Sequence, residues 1–184
     1  RYRYGRKPFV VCGNPTVFSP NFMCAQSEPQ ERLLGTILLI EDDPSDAALI
    51  QGAFQKIGVQ NPISLVSHGD TALAYLEGIN EYADRIKFPL PILIILDLKL
   101  PGMSGLQLLK WIRTKKELRL IPVVVLTGSS DNSQIQAAYE AGANSYLLKP
   151  GNRDEIVRIV ELLEHYWVEH NVAPPLVRRA HENL

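Results

Sequence analysis

Cysteine is scarce in this chain: Cys12 and Cys24 are the only two among 184 residues, and neither makes a zinc-type spacing with the four histidines. A disulfide scaffold and a zinc site built on these cysteines are excluded, and a reducing compartment fits. An excess of one charge is also lacking, since 19 Lys+Arg against 20 Asp+Glu leave a formal charge of -1. Without a basic face to meet a phosphate backbone, no nucleic-acid partner is expected. No apolar run approaches the ~18 residues of a membrane span, and the basic start is not followed by the apolar core of a signal peptide. No membrane partner is expected, and the protein reads as cytoplasmic.

With 46% hydrophobic and 21% charged residues, the composition is that of an ordinary globular protein, one domain with tails. Residues 1–34 stand apart. They carry Arg1, Arg3, Arg6 and Lys7, then Pro15, Pro20 and Pro29, with no acid before Glu28 and no hydrophobic period. They read as an N-terminal tail, disordered or a start-site extension, with Met23 an alternative start. The folded domain is expected over 35–170, and 171–184 as a C-terminal tail.

From Thr36 the pattern becomes regular. Ile37–Ile40, Ile63–Val66, Ile92–Leu96, Val123–Leu126 and Ser145–Leu148 are short apolar runs that read as strands. Between and after them, Ser45–Ile57, Asp70–Leu76, Ser104–Thr114, Asn132–Ala141 and Asn152–Val168 carry apolar residues at helical spacing, several closed by glycine. Asn80–Pro89 reads as a solvated connection. Five strands alternating with five helices predict an α/β fold: a doubly wound, five-stranded parallel sheet with helices on both faces. Such sheets bind ligands at the C-terminal ends of their strands.

Four of the five strands deliver polar groups to that edge: Glu41-Asp42-Asp43, Asp97, Thr127-Gly128 and Lys149-Pro150. Acids brought together there repel one another unless a cation joins them, and an all-oxygen set suits Mg²⁺. One carboxylate can then act as nucleophile toward a phosphoryl group, with Thr127 and Lys149 supplying a hydroxyl donor and a cation. Singly, Asp97 could cap a turn, Thr127 could sit in one and Lys149 could be a surface lysine. Together at strand ends they carry a shared chemistry.

These residues resemble the receiver domain of two-component response regulators. The likeness rests on the acidic pair after strand one, Asp97 within Asp97-Leu98-Lys99-Leu100-Pro101-Gly102-Met103-Ser104-Gly105, the Thr and small residue after strand four, and Lys-Pro after strand five. It spans about Gly35 to Trp167 and is nearest the stand-alone regulators serving cyanobacterial phytochrome kinases. The resemblance implies the flavodoxin-like strand order 2-1-3-4-5 and Asp97 as phosphoacceptor. It implies Mg²⁺, with Mn²⁺ able to substitute, bound by Asp42, Asp97 and the backbone carbonyl of Lys99, with Glu41 acting mostly through water. Thr127, Gly128 and Lys149 would bind the phosphoryl group, and Ser129 would lie at the mouth of the site. Tyr146 would switch with Thr127, and Lys149–Pro150 would be a cis peptide. Asp43 is read as favouring the positive end of the first helix.

The implied function is that of a single-domain response regulator, not an enzyme beyond self-catalysed phosphorylation and dephosphorylation. It takes a phosphoryl group from a sensor histidine kinase, a phytochrome being the candidate, and signals through a changed surface of helix four, strand five and helix five. Only about a dozen residues follow the last helix, too few for a helix-turn-helix output module. The last helix carries Ile156, Ile159, Val160, Leu163, Tyr166 and Trp167, widened by Val157 and Leu162, and this broad stripe suggests a homodimer contact on the same face. His68, His165, His170 and His181 read as exposed polar residues. The alternatives are a phosphorylation-independent adaptor, an aspartyl-phosphate phosphatase, which needs an acid where Lys99 stands, and an FMN binder. The last needs a phosphate-cradling loop where this chain has three acids.

Overall fold

Five strands and five α-helices alternate along residues 35–172, the part of the chain that this computed structural model describes. The expected tails, with Cys12, Cys24, Met23 and His181, lie outside the described residues. In chain order the elements are β1 (Ile37–Ile40), α1 (Pro44–Lys56), β2 (Ile63–Val66), α2 (Gly69–Glu77), β3 (Leu93–Leu96), α3 (Gly105–Thr114), β4 (Val123–Thr127), α4 (Asn132–Glu140), β5 (Ser145–Leu148) and α5 (Arg153–Leu163). All strand pairs are parallel in the order β2-β1-β3-β4-β5.

The all-apolar runs become the central strands because both of their faces are covered. Leu38, Ile40, Ile94 and Leu96 pack with Leu108, Leu109 and Ile112 of α3 and Tyr75 of α2. Their neighbours Ile37, Leu39, Leu93 and Ile95 point the other way, to Ile50 and Phe54 of α1 and Ile156, Val160 and Leu163 of α5. Truncating any of these buried Leu or Ile side chains to Ala would cost about 2–5 kcal/mol. The far edge is held less firmly. Among the residues of α4 only Ala138 is buried, and β5 has no buried residue.

Local chemistry starts each helix that borders the strand ends. Asp43 caps α1, its Oδ1 accepting from the N–H of Ser45 at 2.8 Å and of Asp46 at 3.0 Å, with Pro44 in the first turn. Ser104 forms a reciprocal capping box with Gln107 at the start of α3. Gly105 is required there: a Cβ would run into the carbonyl of Asp97 and come within 2.7 Å of Leu98 Cα. Helix α3 can therefore begin directly beneath the loop that carries Asp97.

Two stretches differ from the sequence reading. The 80–89 connection is exposed at most positions, as expected, but is anchored by its aromatics: a 3₁₀ turn over Asn80–Tyr82 brings Tyr82 and Phe88 onto Tyr75, with ring centroids 5.0 to 6.0 Å apart. The Arg85 guanidinium donates to the carbonyls of Tyr75 (2.7 Å), Leu76 (2.6 Å) and Phe88 (3.1 Å). The last helix stops being α-helical at Leu163 and continues as a π-helix over Glu164–His170. Its broad apolar stripe also has a second customer, since Val157 packs into the core and lines the cleft against α1.

Candidate functional site

The parallel register carries the site residues to one edge. Ile40 pairs with Leu96, so Glu41 and Asp97 emerge side by side, and Thr127 at the end of β4 pairs with Leu148, just before Lys149. The backbone ladder runs on past the strands. The N–H groups of Glu41, Asp97 and Lys149 donate to Val66 O (3.0 Å), Ile40 O (2.9 Å) and Thr127 O (2.9 Å). Side chains held this way sit on rigid backbone.

Three of the four polar positions at the edge are buried: Glu41 is 2% exposed, Asp97 5% and Thr127 0%. Asp42 is exposed beside them, and carboxylate oxygens of Glu41, Asp42 and Asp97 lie within 4.8 Å of one another. Lys149 bridges the acids, its Nζ donating to Asp97 Oδ2 at 2.6 Å, Glu41 Oε2 at 2.7 Å and Asp46 Oδ2 at 2.9 Å. Burial opposes the charge on Lys149, but its hydrogen bonds to Asp97, Glu41 and Asp46 prevail and hold the ammonium above its ordinary range. Burial pushes the Glu41 carboxyl up to about 7 against the pull of Lys149.

The other oxygen of Asp97, Oδ1, accepts from Lys99 N–H at 3.1 Å, which fixes the loop and leaves the Lys99 side chain in solvent. The Thr127 hydroxyl is buried without a hydrogen-bond partner. Such a group costs about 1–3 kcal/mol if left so, which points to an acceptor that belongs at this site. Tyr146 is part-buried against Leu98, Val125 and Ala138, and its hydroxyl donates to Ser129 O at 2.8 Å. That bond ties β5 to the loop that follows Thr127. Gly128 is exposed at the mouth, beside part-buried Ser129.

The structure thus brings together Glu41, Asp42, Asp97 and Lys149 by direct contact or close approach. Asp43 is turned to the helix cap. Asp46 was not expected at the site; its place in the first turn of α1 is the signal that points it back to the strand ends. One expectation is corrected. The Lys149–Pro150 peptide is trans, as is every described peptide bond; trans remains the lower-energy form even before proline, and Lys149 reaches Asp97 with it.

An all-carboxylate cluster with one exposed member fits a hard divalent cation that keeps part of its water. The model of the response regulator receiver domain family matches residues 37–161. The chain belongs to that family. Among curated proteins, this receiver is 39% identical to the "Probable methanogenesis regulatory protein FilR2" of Methanothrix harundinacea over 75% of this chain and 86% of that one. It is 35% identical to response regulator Rcp1 of Synechocystis sp. over 75% of this chain and 92% of that one. Among solved structures it is similar to Mn²⁺-bound Rcp1, with TM-score 0.70 and 34% identity over 76% and 99% of the two chains. It is also similar to the phosphorylated cyanobacterial phytochrome response regulator RcpA, with TM-score 0.72 and 35% identity over 76% and 98%. The fold is the receiver fold, and no helix among the described residues is long and apolar enough to cross a membrane.

Proposed function

We propose that this receiver accepts a phosphoryl group on Asp97 from a phosphohistidine of a sensor kinase, in a reaction that requires Mg²⁺. The observation that carries the reading is the grouping of buried Asp97, the bridging Lys149 and the unpartnered Thr127 hydroxyl at one sheet edge. A carboxylate oxygen of Asp97 forms the new O–P bond while the P–N bond to the kinase imidazole breaks, the electron pair staying on nitrogen. Glu41, Asp42, Asp97 and the Lys99 carbonyl would hold the divalent cation, which when bound offsets the charge of the acids and of the incoming phosphate. Mn²⁺ can substitute, in keeping with the Mn²⁺-bound relative.

Lys149 already stands at Asp97 and supplies a cation to a phosphoryl oxygen; Thr127 supplies the hydroxyl. Gly128, with no side chain, leaves the mouth open. When Thr127 turns to the phosphoryl group, the loop after it moves, and the Tyr146–Ser129 bond transmits that movement to β5. The surface of α4, β5 and α5 is the one that changes, and it is proposed as the homodimer face. The similarity to phytochrome response regulators makes a phytochrome kinase the proposed partner.

Intact mass after incubation with acetyl phosphate tests this, with and without Mg²⁺, on the natural sequence and on Asp97→Asn. One added phosphoryl group that needs the metal and vanishes in the variant is expected. A folded protein that takes none would make it a phosphorylation-independent adaptor.

A further inference from the structure

Where the last helix widens its winding, it brings His170 to His165, which an α-helix would keep apart, beside the ordinary i to i+4 neighbour Glu169. The π-helix Glu164–His170 ends with Asn171 N–H donating to Tyr166 O at 2.8 Å, a five-residue step. At 3.6 residues per turn, positions five apart stand about 140° from one another around the axis. Bonding from i to i+5 stacks them instead, and such segments are frequent at functional sites. Here His165 meets both Glu169 and His170. Its Nδ1 lies 2.7 Å from Glu169 Oε2, and the two imidazole centroids are 4.3 Å apart with planes at 65°. One donor atom from each of the three residues lies within 4.8 Å of the others.

We propose that His165, Glu169 and His170 form a transition-metal site that takes Zn²⁺. Two imidazoles and one carboxylate make a nitrogen-rich set of the kind zinc prefers, unlike the all-carboxylate cluster at the strand ends. Tetrahedral zinc sets its ligand atoms about 3.3 Å apart, so the 2.7 Å His165–Glu169 pair must open slightly and the three donors settle to that spacing by side-chain rotation. They are free to rotate: the His165 and Glu169 side chains are 64% and 50% exposed, and His170 is exposed. Water completes the fourth position. Glu164 interacts electrostatically with all three residues and adds negative charge beside the dication. Lys56 and Arg158 line the neighbouring hollow with His165 and Glu169 and are the cations the metal must tolerate. Bound zinc would pin the π-helical end of α5 to a single winding.

The test is zinc titration of the tag-free full chain carrying Cys12→Ser and Cys24→Ser, with excess Mg²⁺ occupying the acidic cluster. Histidine side-chain ¹⁵N spectra and calorimetry are the readouts. One Zn²⁺ per chain is expected, shifting the imidazole nitrogens of His165 and His170 and leaving His68 and His181 in place. His165→Gln and His170→Gln, both at exposed positions, are each expected to weaken binding about tenfold or more, and Glu169→Gln to weaken it as well. No binding, shifts confined to His68 or His181, or unchanged affinity in both histidine variants would overturn the proposal.

Discussion

Lys149 Nζ lies 2.6 Å from Asp97 Oδ2, although 52 residues separate the two in sequence. The same ammonium touches Glu41 and Asp46, so one cation balances acids delivered by β1, α1 and β3. Removing it strands buried negative charge, whereas removing one acid relieves repulsion.

Lys149→Met is therefore expected to destabilise the metal-free protein by about 2–4 kcal/mol. Asp97→Asn in the same background should restore part of that loss. Urea unfolding of the two single variants and the double variant measures the coupling, and strictly additive effects would contradict a shared cluster.

The Glu41 carboxyl titrates near 7 in the folded chain against an ordinary 4.5. Between those values the native state binds more protons than the unfolded state, so metal-free stability falls as pH rises from about 4.5 to about 7. The fall should be on the order of 2–3 kcal/mol, and Glu41→Gln should flatten it. Added Mg²⁺ should offset the loss at pH 8 by mass action, because it binds the folded carboxylates. A flat metal-free profile for the natural sequence would oppose this.

The three central strands were legible because they are four- or five-residue, mostly apolar runs that only a doubly covered position accommodates. Asp97, Glu41 and Lys149 were legible because they follow such runs directly. Asp46 was not, since only the turn of α1 brings it back. Nor was the π-helical end of α5, as no local pattern in Glu164–His170 demands i to i+5 bonding. The packing of 80–89 escaped because it depends on Tyr75, which lies in a different element.

Gly105→Ala should destabilise by about 1–3 kcal/mol, because the new Cβ meets the Asp97 carbonyl and displaces α3 or the acceptor loop. Phosphoryl uptake should slow in parallel. Thermal unfolding and an uptake time course would show both; an unaltered rate in a destabilised variant would separate the helix start from the site.

Arg85→Ala should take one donor from each of the carbonyls of Tyr75, Leu76 and Phe88, costing about 1–3 kcal/mol. Faster amide hydrogen exchange is expected across residues 79–90, with the strand-end site unaffected. Uniform loosening of the whole domain would show that the loop is not an independent unit.

Asp97, among neighbouring acids, is the proposed acceptor of the phosphoryl group. Borohydride reduction converts an aspartyl phosphate to homoserine, so the phosphorylated chain can be reduced, digested and mapped by mass spectrometry. Homoserine at position 97, formed only when Mg²⁺ was present during phosphorylation, is the predicted result. Homoserine at position 42, 43 or 46 with position 97 intact would rule Asp97 out as the acceptor.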